Sequence, residues 1–161
     1  MRATWAPRGH TPVLRHHFRW TRLSMAAAIG YRDEQTALVF QIGPGAYHTA
    51  SLIDYLTDLH THFGAEKVTL VWDGLPSHRC TDMKTWIARQ RCWLVVERLP
   101  AYAPELNPVE GLWGNVKGRE LANLCPDTID DAHAAAHTGL SRAGTDADLC
   151  HALLAHTGLS W

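Results

Sequence analysis

Nowhere does this chain run through the roughly 20 uninterrupted apolar residues that a membrane-spanning helix needs, although 46% of its 161 residues are hydrophobic. Nor is Met1-Arg2 followed by the apolar core of a secretory signal, so a cytoplasmic location and no membrane partner are the default expectation. The chain also lacks a lopsided charge. Its 15 Lys and Arg stand against 16 Asp and Glu, a net charge of −1, which excludes a simple polycation. Four cysteines (Cys80, Cys92, Cys125 and Cys150) include no C-x-x-C pair, which argues against a zinc ribbon or a disulfide framework and for reduced thiols. Internal repeats, low-complexity tracts and long linkers are missing as well.

What remains is the composition of one soluble globular domain, with 19% charged residues and 18.0 kDa, large enough to bury a core. The charge is unevenly placed. Residues 1–22 hold Arg2, Arg8, Arg15, Arg19 and Arg22 and no acid, interleaved with Trp5, Phe18, Trp20 and three histidines. Such a segment suits a polyanion such as DNA, and it is equally the composition of a solvated loop. From Cys125 onward five aspartates face Arg142 alone.

Hydrophobic patterning predicts the elements. Leu23–Tyr31 and Thr36–Ile42 flank a short polar turn and read as an antiparallel hairpin. Leu52, Tyr55, Leu56, Leu59 and Phe63 recur at helical spacing before Gly64. Lys67–Asp73 is a short apolar run ending in an acid, expected as a buried parallel strand. One helix, capped by Ser77 and running to about Arg91, separates it from a strand at Trp93–Leu99. Helices are then expected at about Pro108–Leu121, Asp127–Leu140 and Ala147–His156. The alternation implies βαβ units, and with the leading hairpin it predicts an α/β fold built on a mixed sheet. The whole chain reads as one domain: a basic segment at 1–22, a core at 23–121 and C-terminal helices at 122–161.

Two acids stand where chemistry is commonly placed. Asp73 ends its strand, and in open α/β sheets functional groups lie beyond the carboxyl ends of strands. An acid there also often only caps the next turn. Glu110 falls three residues after Asn107, a good helix N-cap, with Pro108 at the first helical position. That spacing is a capping box, so Glu110 has a structural alternative, although a carboxylate at the positive end of a helix is also held ionised and oriented. Trp113 and Lys117 share the helix face of Glu110. Trp113 is the more ordinary core residue, and Lys117 is either a phosphate contact or a solvated side chain. If Asp73 and Glu110 meet, they offer hard oxygen ligands for Mg²⁺ or Mn²⁺. The 11 histidines offer no third convergent ligand: His60 and His62 point to different faces, whereas His133 and His137, and more loosely His151 and His156, could share one.

The segments VTLVWDGLPSH and LPAYAPELNPVEGLWGNVK resemble the second and third catalytic blocks of DDE transposases, most closely the bacterial insertion-sequence relatives of the mariner superfamily. In that pattern an apolar strand ends in Asp, a His follows, and L-P-x-Y-x-P-x-L-N-P-x-E-x-x-W-x-x-x-K comes next. Here 36 residues separate Asp73 from Glu110, as that family's spacing requires, and TWAPRGHTPVL resembles its W-x-x-x-G-x-x-P segment. The similarity spans about residues 4–121. It implies a ribonuclease-H-like fold, Asp73 and Glu110 as metal ligands, and a site for two Mg²⁺ or Mn²⁺ ions in the complete protein. It further implies DNA as partner, both transposon ends and target, and a homodimer. Asn107, His78 and Trp113 would support the site, and Arg8, Arg15, Lys117 and Arg119 would be candidate contacts to DNA phosphates.

Two departures qualify it. Gly74 replaces the Asn that usually follows the second Asp, and the first catalytic Asp would lie on a strand before Met1. Asp33 and Glu34 fall in the predicted hairpin turn, the wrong place for a ligand. The chain is therefore expected to be a fragment without its first strand. The resemblance implies DNA transposition, by metal-dependent phosphodiester cleavage at transposon ends and transfer of the freed 3′-hydroxyl to target DNA, and leaves open whether this chain is active alone; the alternative is a non-catalytic DNA-binding or dimerisation product that modulates the full-length transposase.

Overall fold

A computed structural model describes residues 7–10, 22–101 and 103–158. The hairpin forms as expected from strands β1 (Leu23–Arg32) and β2 (Gln35–Pro44), paired in register from Leu23↔Pro44 to Arg32↔Gln35. Asp33 makes the tight turn with φ 52°, a left-handed conformation that Asp tolerates better than most residues. The run of small residues in β1 has a packing reason, since helices cover both faces of the hairpin. Ala26, Ala28 and Val39 face one core cluster, and Met25, Ala27, Ile29, Leu38, Phe40 and Ile42 face the other. Alternation with period two therefore runs between two apolar surroundings, and the polar-out signature vanishes.

Helix α1 (Thr49–Phe63) supplies the first cover. His48 and Ser51 form a reciprocal box at its start, and Gly64, at φ 63°, ends it. Its buried stripe is Leu52, Tyr55, Leu56 and Leu59. The Tyr55 hydroxyl donates to the Val39 carbonyl at 2.9 Å, pinning the helix to β2, and burial pushes this phenol well above its ordinary pKa. On the other side of the hairpin lie α4 (Pro108–Gly118) and α5 (Ile129–Gly144), whose Leu112, Val116, Leu140 and Ala143 form the second cluster. Helix α6 (Ala147–His156) packs on α4 and α5. Gly111 lets α4 and α6 approach: a Cβ there would sit 2.6 Å from the Leu153 side chain.

Between these parts runs a βαβ unit. Strands β3 (Val68–Trp72) and β4 (Leu94–Arg98) are parallel, with Val68↔Leu94 and Trp72↔Arg98 in register. The crossover corrects the single helix expected from Ser77. It breaks into α2 (Pro76–Arg79) and α3 (Thr81–Arg89) because Cys80 takes an extended backbone, φ −65° and ψ 161°, and caps α3 in place of Ser77. Met83 of α3 is fully buried against α1.

Helices and strands give the α/β class the sequence predicts, but the strands do not form one mixed sheet. Among the described residues β1–β2 and β3–β4 are separate two-stranded sheets. They are linked by α1, whose cluster takes in Ala26, Ala28 and Val39 from one sheet and Leu70, Trp72 and Val96 from the other. An exposed ion pair between Arg32 and Glu66 joins the end of β1 to the approach to β3. Nor is β3 buried on both faces: Val71 is 41% exposed and Val95 50%, so described helices cover only the opposite face of this pair. Local pattern marks strands, whereas edge pairing is decided by long-range contacts that the pattern does not encode.

Candidate functional site

Asp73 follows the last residue of β3, where the strand leaves the sheet, and its side chain is half-buried. Its Oδ1 accepts from the Leu75 N–H at 3.1 Å, closing an Asx turn. His78, one turn later in α2, sets its Nδ1 at 2.9 Å from the same Oδ1 and at 3.1 Å from the Asp73 carbonyl. The His78 ring is buried and lies flat on the Trp72 indole, centroids 4.1 Å apart and planes 2° from parallel. Two consecutive strand-end residues thus hold His78, one by its face and one by its edge. Gly74 is not forced by packing. Its φ is not in the left-handed range, and a Cβ built there meets nothing within 4 Å. The position has room for the asparagine of the resembling pattern.

Glu110 lies in the first turn of α4. Asn107 caps this helix as expected, its Oδ1 accepting from the Val109 N–H at 3.2 Å. The capping box does not form. The Asn107 N–H goes to the Pro104 carbonyl at 3.0 Å, across a 3-10 turn at Pro104–Leu106, and not to the Glu110 carboxylate. With the cap satisfied by other means, the exposed Glu110 carboxylate has no hydrogen-bond or ion-pair partner among the described residues. The capping-box reading of Glu110 is thereby removed.

A shallow cleft of about 220 Å³ opens beside it, with Glu105, Asn107 and Glu110 on one wall and Leu153, His156 and Thr157 of the α6 end on the other. Sequence reading leaves His156 as one of a loose pair with His151, and no local signal links it to a residue so far back in the chain. His151 instead lies against Tyr31, with Nε2 at 3.1 Å from the Glu34 carbonyl. Asp73 does not line the cleft. Among the described residues, no group of three or more His, Cys, Asp or Glu stands ready to hold a metal ion. What the two acids offer is carboxylate oxygens, hard ligands suited to Mg²⁺ or Mn²⁺, and among the described residues neither acid is paired with Lys or Arg.

The supporting residues divide. Trp113 is half-buried against the Leu112–Leu140 cluster and is a core residue. Lys117 and Arg119 are exposed near the end of α4, and Arg8 is exposed in the turn at Pro7–His10. Arg15 lies outside the described residues. Of the paired histidines, His60 stacks on Trp93, and His133 and His137 lie 6.3 Å apart with His137 edge-on to Phe40. These are packing roles. The sequence gives no sign of the clamp between α4 and α5. There Arg142 donates to Glu120 from Nε at 2.6 Å and from Nη2 at 3.1 Å, and to Asn115 at 2.6 Å. The guanidinium holds the Glu120 carboxyl below its ordinary range.

The model of one family, the DDE superfamily endonucleases, matches residues 1–131, and the chain belongs to that family. Among solved structures it is similar to the catalytic domain of Mos1 mariner transposase, with 14% identity, 86% of this chain and 83% of that one covered, and a TM-score of 0.47. The Mos1 transposase catalytic domain solved with raltegravir and Mn has the same identity and TM-score, with 84% of that chain covered. No curated protein matches. No helix among the described residues is long and apolar enough to cross a membrane.

Proposed function

We propose that this chain is part of a transposase catalytic domain of the insertion-sequence branch, with a ribonuclease-H-like arrangement, in which Asp73 and Glu110 bind Mg²⁺ or Mn²⁺. The reaction is phosphodiester cleavage at transposon ends followed by transfer of the freed 3′-hydroxyl to target DNA. The observation that carries this reading is the state of Glu110. A carboxylate at a capping-box position that is released from capping, at the positive end of α4, is available to a cation. Asp73 adds a second, its Oδ1 held by the Leu75 N–H. When bound, a pair of such ions activates the attacking oxygen and stabilises the leaving one. Lys117, Arg119 and Arg8 supply phosphate contacts, which position DNA without reading its sequence. As in the resembling pattern, a first acid would stand on a further strand, and the transposase would act as a homodimer. Asp73→Asn and Glu110→Gln are each expected to lower cleavage by the complete transposase at least about 100-fold, on the scale of disrupted metal shells. Cleavage at the parent rate in either variant would contradict the assignment.

A second reading, a non-catalytic DNA-binding or dimerisation product that modulates the full-length transposase, is favoured by the lack of a three-ligand cluster among the described residues. Salt-sensitive DNA binding by the 161-residue chain without metal-dependent nicking supports it, and nicking excludes it.

A further inference from the structure

We infer that Leu75 is an apolar wedge that opens a base step of duplex DNA beside Asp73, with Arg79 gripping a neighbouring phosphate. The inference rests on the proposed action on DNA and goes beyond it, because it names the side chains that deform the duplex. Four large hydrophobic residues are exposed among the described ones: Val71, Leu75, Val95 and Leu124. Val71 and Val95 belong to the open face of β3–β4, and Leu124 to the connection between α4 and α5. Leu75 is the most exposed of them, at 51%, and stands two residues after Asp73.

A single exposed leucine is ordinary. What points to a ligand is its seat. The Leu75 N–H donates to Asp73 Oδ1 at 3.1 Å, and the Leu75 carbonyl accepts from the His78 N–H at 3.0 Å, so both of its backbone groups are bonded. Pro76 follows with its ring-fixed φ, and the residue before a proline is kept out of the helical region, as φ −52° and ψ 147° at Leu75 show. The far end of the turn is anchored in the core, where the buried His78 ring lies flat on Trp72 and bonds the Asp73 carbonyl at 3.1 Å. Leu75 is thus presented outward from a turn fixed at both ends, and only a fixed side chain can hold two bases apart. Arg79 follows His78, exposed and paired with no carboxylate among the described residues. An apolar tip and a cation four residues apart match what a duplex offers in close succession, a base step and the phosphates that flank it. Apolar side chains such as leucine, inserted between base steps, partly unstack them and kink the duplex. Arginine holds the backbone without reading sequence.

Binding of the purified chain to a duplex carrying 2-aminopurine at a pyrimidine–purine step, where unstacking is easiest, separates the two roles. Anisotropy reads binding, and 2-aminopurine fluorescence reads unstacking. At saturation the fluorescence is expected to rise with the parent and with Leu75→Met. It should stay at the free-duplex level with Leu75→Ala and Leu75→Gln, whose melting temperatures should match the parent's because the side chain is exposed. Arg79→Ala is expected to keep the rise at saturation and to lower the slope of log affinity against log salt by about 0.9. Binding by the parent without a rise, or an undiminished rise in Leu75→Ala, overturns the wedge and leaves the DNA reading standing. An unchanged salt slope in Arg79→Ala overturns the phosphate grip. No binding by the parent at low salt overturns the DNA reading of this chain and takes the wedge with it. A parent that sediments as a dimer, beside a monomeric Leu75→Ala, would place Leu75 between two copies and likewise overturn the wedge.

Discussion

At Glu110 a short motif carries two readings, and the backbone removes one of them, the capping box. In sequence, N-P-V-E is a capping box and also part of a ligand block, and spacing alone does not separate the two. The structure gives the Asn107 N–H another acceptor, which no reading of four residues would show. The place of Asp73 at the end of β3 was legible for a simpler reason, since the apolar run stops there. The stack of His78 on Trp72 was not legible, because residues six apart meet only once α2 has turned back. Two predictions belong at this scale. Asn107→Ala removes the bond to Val109 and is expected to cost about 1 kcal/mol, as loss of a helix cap usually does, measured by urea unfolding. Gly74→Asn meets no obstruction, so its melting temperature should stay close to the parent's. A large fall would show that the turn needs glycine.

Elements were read better than their joints. The hairpin, α1, β3, β4 and the three C-terminal helices all lie near their expected positions, because each has a strong periodic or apolar signal. The break at Cys80 escaped because one extended residue leaves the apolar spacing of its neighbours almost unchanged. Packing between elements gives its own tests. Leu112 is fully buried where α4 meets the hairpin, and Leu112→Ala is expected to destabilise the fold by about 2–5 kcal/mol, read from denaturant midpoints. The Glu120–Arg142 clamp predicts a pH dependence. Because Arg142 lowers the folded-state pKa of Glu120, the pair contributes stability above the ordinary carboxyl range. That contribution is lost as pH falls through the depressed value. Glu120→Gln should therefore flatten the acid limb of the stability profile below about pH 4 relative to the parent, and an unchanged limb would remove the clamp from the account.

For the whole molecule, family and α/β class were legible while sheet assembly and the cleft were not. The resemblance rested on two blocks whose residues are local in sequence, and the family match over residues 1–131 agrees with it. The two separate sheets and the placing of His156 and Glu110 along one cleft depend on long-range geometry. The proposed DNA binding also belongs to this scale, since it would sum phosphate contacts over a surface. Lys117→Ala and Arg119→Ala should each reduce the slope of log affinity against log salt by about 0.9 on duplex DNA, with little change in sequence preference.

The central proposal, that Asp73 and Glu110 together bind divalent metal, is tested most directly by exchanging hard donors for soft ones in a transposase that carries this chain. Asp73→Cys and Glu110→Cys are each expected to abolish cleavage in Mg²⁺, which binds thiolate poorly, and to recover part of it in Mn²⁺ or Cd²⁺. Undiminished cleavage in Mg²⁺, or no recovery with the softer ions at either position, would contradict it.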